Sequence, residues 1–344
     1  MVQIEVSSYP GPRIGETLPP QARGVLEQLG VRQQFGRQNH APAHGTVAVW
    51  GSPIAKENDF VFSRHGDGWH LDRAAFDAML AAEAHNRGVE RLEARATGAQ
   101  REGEKWSVSL AGGATLQALF LVDATGASAS FARTFGARFV ATDRLTAFVR
   151  FFEDDVSSDP RSLVEAFEDG WWYTAGLPGG LRIAACMTDD DIGKRLALGE
   201  DEGWSRCLEA ASHVEARIAG RNLVGSPLVR AARSRQLDKA TGEGWLATGD
   251  AASVFDPLSA SGITKALRSG IFAAYAVSDL LEKKDPLSLA RYRKYLDNEH
   301  QGYLQVWSRY YAEERRWPES PFWRRRATRL SHDKMAAAME ARKT

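Results

Sequence analysis

Leu246-Ala247-Thr248-Gly249-Asp250-Ala251-Ala252, then Phe255-Asp256-Pro257-Leu258-Ser259-Ala260-Ser261-Gly262-Ile263, is the stretch that decides the fold. Leu246 to Thr248 reads as a short buried strand that stops at Gly-Asp. Ser261 to Leu281 reads as a helix, because Ile263, Leu267, Ile271, Ala274, Val277 and Leu281 recur at helical spacing. Ala266, Gly270, Ala273 and Ala274 keep that helix slim enough to pack close to a sheet. A strand ending in Gly-Asp places a carboxylate at the carboxyl edge of an α/β sheet, where ligands bind. A carboxylate there can accept hydrogen bonds from a sugar-alcohol hydroxyl. The glycine-containing entry to the helix turns free backbone N–H groups and a positive dipole end outward.

Working outward from that stretch, the 344 residues suit about two domains, or one large domain with a cap. The chain is 43% hydrophobic, enough for a sizeable core. Lys plus Arg and Asp plus Glu number 44 each, so no net field steers the chain toward nucleic acid or anionic lipid. No apolar run approaches the ~20 residues of a bilayer span. Two cysteines, Cys186 and Cys207, make neither a disulfide framework nor a Cys-rich metal site, and no metal is expected. The N-terminus lacks a signal-peptide pattern, and a cytoplasmic location is expected. No period of 20–50 residues repeats.

Val2 to Val6 alternates and predicts a strand. Thr17 to Leu29 predicts a helix, with Pro19-Pro20 near its start and Gly30 past its end. Residues 32–70 read as irregular. Asp72 caps a second helix whose Phe76, Met79, Leu80 and Ala84 face a core. Val89 to Ala96, and a hairpin from Trp106 through Gly112-Gly113 to Val122, read as strands. Leu145 to Phe152, Trp171 to Ala175, Leu181 to Met187 and Leu228 to Leu237 form a mainly antiparallel block, with one helix over Trp204 to Ala219. An amphipathic run from Leu287 to Tyr311 precedes a tail rich in Trp and Arg.

These segments resemble, in order, the FAD-dependent monooxygenase superfamily and within it the tryptophan-halogenase-like branch. Ile4-Glu5 is similar to the strand end whose Glu holds the adenosine ribose, and Arg13-Ile14-Gly15-Glu16-Thr17-Leu18 to the branch's Arg-x-Gly-Glu-x-Leu. His70-Leu71-Asp72-Arg73 looks like the helix start whose Arg contacts FAD. Val122-Asp123-Ala124-Thr125-Gly126 resembles an Asp-Ala-Thr-Gly strand end. Gly170-Trp171-Trp172-Tyr173 with Leu177-Pro178 approximates Gly-Trp-x-Trp-x-Ile-Pro, Tyr173 standing for the second Trp.

The resemblance implies an α/β fold: a Rossmann-like FAD-binding domain of the GR2 type, a mainly antiparallel β substrate domain inserted into it, and a C-terminal helical region. Residues 1–140 are expected to form the first FAD-binding part, 141–237 the substrate domain, 238–285 the second FAD-binding part and 286–344 the helical region. It implies FAD held by Glu5, Arg13, Arg73, Gly249, Asp250, Pro257, Ser261, Gly262 and Ile263, the helix entry facing the N1–C2=O edge of the ring, which becomes anionic on reduction. It implies hydroxylation of an aromatic, indole-like substrate through a flavin C4a-hydroperoxide beside Pro257. NAD(P)H or a separate flavin reductase would supply the electrons. Trp50, Trp171, Trp172, Tyr173, Trp317 and Trp323 are the candidate substrate walls. The tail Glu313 to Arg326 is similar to proteins that modify tryptophan within another polypeptide, which makes a peptidyl tryptophan the candidate partner.

Two features depart from the branch. No Gly-x-Gly-x-x-Gly occurs near the N-terminus, so the first strand and helix, ~30 residues that wrap the pyrophosphate, are expected to be missing from this sequence. The halogenases' essential lysine also has no counterpart, since residues 1–54 contain no lysine and His44 stands near its place. A neutral imidazole forms no chloramine-type adduct but can move a proton, which makes His44 a candidate catalytic residue and disfavours halogenation. The alternatives are a halogenase with a displaced lysine and a flavoprotein-like fold that binds a partner without catalysis.

Overall fold

Runs that are apolar on both faces make central strands, and the computed structural model places them in one seven-stranded sheet. It describes residues 1–6, 14–154 and 159–328. The strand order is Leu223–Ala231, Leu145–Glu153, Leu181–Asp189, Gly170–Leu177, Ser162–Phe167, Gly45–Val49 and Lys56–Asp59. All neighbours are antiparallel except Gly45–Val49 on Ser162–Phe167, which is parallel with Thr46 opposite Ser162. Leu145–Glu153 is buried along eight of its nine residues because both faces of the sheet are covered. One face packs on the long helix Ser288–Glu313 and on Phe322 and Trp323 of the helical residues 321–328. The other packs on two short helices, Asp201–Leu208 and Ser212–Ile218.

The α/β part is built from two parallel pairs. Val2–Glu5 pairs with Glu90–Glu93, and Leu121–Asp123 with Trp245–Ala247. The core beside them gathers Trp106, Leu246, Ala273 and Tyr292, while a separate core holds Leu26, Phe35, Leu71 and Phe76 under the helix Arg73–Asn86. Asp72 caps that helix, its Oδ1 accepting from the Ala75 N–H at 3.0 Å.

Several local expectations are corrected. Residues 32–70 are ordered into the helix Arg32–Gly36 and the strands Ala41–Ala43, Gly45–Val49, Lys56–Asp59 and Gly68–His70. These strands are short, and the polar Lys56–Asp59 lies at the sheet edge, so the apolar signal is weak. Thr17–Leu18 is a strand opposite Trp69 and His70, and the helix begins only at Ala22. The helix expected over Trp204 to Ala219 is two helices separated by Glu209–Ala211. Ser162–Phe167 is an additional strand, and Leu228 to Leu237 divides between the sheet and a separate short strand, Arg235–Leu237. Thr115–Ala118 and Leu121–Asp123 belong to different sheets. Arg13 lies outside the described residues.

Candidate functional site

The Gly249–Asp250 turn sits at the carboxyl end of Trp245–Ala247, against the side of the helix Gly262–Leu281. Gly249 has φ +61°, a left-handed conformation that suits glycine, and its N–H donates to Ser269 Oγ at 2.9 Å. Asp250 keeps a half-exposed carboxylate, and its Oδ1 accepts from Lys265 Nζ at 2.6 Å. The apolar residues whose spacing marks this helix are only partly covered. The buried face is instead Thr264, Lys265, Ser269, Ala273 and Ala276, polar near the turn and apolar beyond it.

Pro257 opens a single 3-10 turn, Pro257–Ser259, and is exposed. The residue before it is buried and holds the turn. Asp256 Oδ1 accepts from the Leu258 N–H at 2.9 Å, and Oδ2 accepts from Tyr311 Oη–H at 2.7 Å and Trp307 Nε1–H at 3.1 Å. Tyr311 Oη in turn accepts from Trp171 Nε1 at 3.0 Å. Burial, reinforced by the negative charge of Asp143, pushes the Asp256 carboxyl up to about 6. Asp143 is itself raised by burial, and its Oδ2 is buried without a hydrogen-bond partner.

A second knot joins three sequence motifs. Arg73 Nη1 donates to the backbone oxygens of Ile14 and Gly15, at 3.1 and 2.6 Å. Glu16 Oε2 accepts from the Gly15 N–H at 2.7 Å, and Tyr173 shares a 2.7 Å hydroxyl contact with Thr17. Burial raises the pKa of Glu16 above the ordinary carboxylate range, against the hydrogen bond from Tyr173 and the charge of Arg73.

The tryptophans do not stand as an open wall. Trp50, Trp171 and Trp323 are buried together with Tyr311 and Trp307, and their indole N–H groups are all engaged within the protein: Trp50 with the Tyr310 carbonyl, Trp171 with Tyr311 Oη and Trp323 with the Phe167 carbonyl. Trp317 is half-buried at the rim of this cluster, beneath the Arg316 guanidinium. Trp172 lies on the opposite face of the sheet, edge-on to Trp204 at 4.7 Å, because adjacent strand residues point to opposite faces. Of the described tail arginines only Arg326 is buried, where it pairs with Asp189; Arg325 pairs with Asp189 from an exposed position, and half-buried Arg316 pairs with Glu314. His44 joins two strands, and its Nδ1 pairs with Asp67 at 3.0 Å, both half-exposed. Glu5 closes its strand.

Sequence reasoning passed over Asp256, Lys265 and Tyr311, and grouped Trp307 only with the clustered tryptophans Trp317 and Trp323. The Asp-Pro step signalled Asp256, and a lysine four residues before Ser269 on a helix otherwise rich in small residues signalled Lys265. Trp307 and Tyr311 are four apart on one helix, the spacing at which two side chains meet one partner.

The described residues suit the ribityl and ring end of FAD. The Asp250 carboxylate is half-exposed, and the first-turn N–H groups of Gly262, Ile263 and Thr264 have no helical acceptor. Thr264 Oγ1 is buried without a partner, and a Cβ built on Gly262 meets nothing within 4 Å. Among the described residues, no three His, Cys, Asp or Glu side chains gather as for a metal ion, and no helix is long and apolar enough to cross a membrane.

A strand-end carboxylate facing the entry of a long helix, beside an antiparallel sheet backed by helices, is the fold of the FAD-dependent halogenases. The flavin-dependent halogenase CmlS superposes with a TM-score of 0.84 at 22% identity, covering 97% of this chain and 65% of CmlS, so the chain spans just under two thirds of that protein. The chain belongs to the tryptophan halogenase family, which matches residues 52–344, and is by that family an FAD-dependent oxidoreductase. LodB of Marinomonas mediterranea, which carries the name of an FAD-dependent oxidoreductase, is 29% identical over 331 residues, 94% of this chain and 89% of LodB. QhpG, a peptidyl tryptophan dihydroxylase essential for tryptophylquinone cofactor biogenesis, superposes with a TM-score of 0.73 at 22% identity, covering 95% of this chain and 72% of QhpG.

Proposed function

We propose that the protein is an FAD-dependent monooxygenase that hydroxylates an electron-rich aromatic ring, an indole carried by a peptide. The observation that carries this reading is the state of the lysines. Residues 1–54 contain none, Lys56 is exposed on the edge strand, and Lys265, which lies at the site, is buried and bound to Asp250. Lys265, the lysine nearest the strand-end turn, is therefore held in an ion pair and is not offered to hypohalous acid. QhpG, which acts on peptidyl tryptophan, supports the choice of substrate.

FAD would be held by Asp250 on the ribityl hydroxyls, by the N–H groups of Ser261, Gly262 and Ile263 at the ring, and by Gly249, Pro257, Arg73, Arg13 and Glu5. Bound FAD supplies the activation of dioxygen. The protein's own part is positioning and exclusion of water. The helix entry favours negative charge at the ring edge. Asp256 fixes the turn that presents Pro257, and the Trp50–Trp171–Tyr311–Trp323 cluster keeps the floor beneath it dry. Trp317 and Tyr173, both half-buried, are the candidate substrate contacts, and His44 with Asp67 is the candidate proton carrier. Electrons come from NAD(P)H or a flavin reductase.

The experiment is to load the protein with FAD, reduce it, and offer a tryptophan-containing peptide under air in bromide buffer. A product heavier by oxygen alone supports the proposal. A brominated product gives the function to halogenation, the reading favoured by likeness to CmlS. A protein that takes up no FAD is not an oxygenase, and a partner-binding role replaces both.

A further inference from the structure

Lys265 stands where a cation is doubly disfavoured. It lies in the first turn of the helix Gly262–Leu281, whose N-terminal end carries the positive end of the dipole. Its side chain is only 3% exposed, so the ammonium has lost most of its water. Burial accordingly draws its pKa below the ordinary lysine range, with Asp250 acting in the opposite direction. A leucine or methionine would fill the same space without either cost.

What offsets those costs is specific. Nζ donates to Asp250 Oδ1 and to the backbone oxygen of Ser253, and lies 5.2 Å from the centre of the Phe255 ring. One helical turn further on, Ser269 Oγ accepts from the Gly249 N–H and bonds Thr248 Oγ1 at 3.1 Å. Two buried polar side chains, four residues apart on one helix face, thus grip the Thr248–Ser253 segment from one side. Asp250 itself is 46% exposed on its side chain and would turn among rotamers without this grip.

We propose that Lys265 is a positioning residue, which locks the Asp250 carboxylate in the orientation that receives a ribityl hydroxyl before FAD arrives. The inference rests on the FAD reading above. Asp250 Oδ1 is taken by the ammonium, which leaves Oδ2 of this half-exposed side chain to accept the hydroxyl. Ordering the carboxylate in advance removes that ordering cost from the binding step. Lys265 acts through Asp250 and makes no contact with the cofactor itself.

The test is a double-mutant cycle read as FAD affinity, by fluorescence titration of the full chain with oxidised FAD. Lys265→Met and Asp250→Asn are each expected to weaken binding about 10- to 100-fold, the span of one charge-assisted hydrogen bond. The double variant is expected to bind within about twofold of Asp250→Asn alone, because a lysine that works only through Asp250 has nothing left to do. Lys265→Gln, which keeps a donor without the charge, is expected to fall between wild type and Lys265→Met, and it replaces Lys265→Met in the cycle should that variant not fold. Losses that multiply in the double variant overturn the inference and assign Lys265 a separate role. So does a Lys265→Met protein that binds FAD as tightly as wild type or tighter. A wild-type protein that binds no FAD refutes the FAD reading itself, and this inference falls with it.

Discussion

Tyr311→Phe removes one oxygen atom from the centre of the buried network and leaves the ring in place. Two hydrogen bonds go with it: the one donated to Asp256 Oδ2 at 2.7 Å and the one accepted from Trp171 Nε1 at 3.0 Å. The first is charge-assisted when Asp256 is ionised, worth about 1.5–3 kcal/mol, and the second leaves a buried indole N–H without a partner, at about 1–3 kcal/mol. Together they predict a loss of roughly 3–5 kcal/mol at pH 8. Asp256 makes that loss depend on pH. Its ordinary value is 3.8, and burial and the charge of Asp143 carry it to about 6 in the folded protein. Between those values the native state holds a proton that the unfolded chain has released, so this group's contribution to stability falls as pH rises from about 4 to 6 and is level above. Tyr311 lowers the native value, so its removal raises that value further, by about one unit for each 1.4 kcal/mol lost to the ionised form. The destabilisation should therefore grow by about 1–2 kcal/mol between pH 4.5 and pH 8. Urea unfolding followed by tryptophan fluorescence at five or six pH values measures it. A difference between wild type and variant that stays flat, or shrinks as pH rises, refutes the reasoning about Asp256.

His70 gives the opposite slope. Burial, with the nearby Arg182 charge, holds its imidazole down to about 4, against an ordinary 6.5. The unfolded chain therefore takes up a proton that the native state excludes, and stability falls by roughly 3 kcal/mol as pH drops from about 6.5 to 4. His70→Gln should flatten that acid limb, and the imidazole resonances of wild-type His70 should not titrate between pH 5 and 8. Gly170→Ala places a Cβ 2.1 Å from the Met187 carbonyl oxygen of the neighbouring strand, so the variant should lose about 3 kcal/mol or more and accumulate as insoluble protein in expression trials. Arg326→Met leaves the buried Asp189 with one fewer cation, and thermal unfolding should show a cost of about 3–5 kcal/mol, while Arg324→Met at an exposed position stays within about 0.5 kcal/mol.

The parts of the fold that were legible from sequence are those whose signal is local. The Gly-Asp strand end and the helix after it, the Asp72-capped helix, and three apolar runs of the central block, Leu145 to Phe152, Trp171 to Ala175 and Leu181 to Met187, each carry their own period or cap. The strand Gly45–Val49 was not legible, because its parallel partner Ser162–Phe167 lies more than a hundred residues away and neither is long. The helix Gly262–Leu281 was legible from its period but its buried side was not, because periodicity counts apolar residues, whereas this helix turns Lys265 and Ser269 inward to hold a turn. The tryptophans were legible as a cluster but not as to which side of the sheet each occupies, since Trp171 and Trp172 part company at a single peptide bond. Of the site, the backbone cradle and Asp250 could be read directly. The support behind them, Asp256 with Trp307 and Tyr311, is assembled from elements some fifty residues apart and became visible only in three dimensions.

The clamp between Arg326 and Asp189 joins residues 137 positions apart, and Trp50 meets Tyr310 across 260. A ribosome reading this message produces Trp50 long before Tyr310, Tyr311 and Trp323 emerge. Closing contacts over such distances is slow, and the waiting strands expose apolar faces meanwhile. The aromatic floor therefore closes only once residues 310–326 have been made and have folded back onto the sheet. Loss of Phe322, Trp323 and Arg326 should leave that floor open, which makes residues 321–328 a checkpoint of folding as much as a piece of architecture.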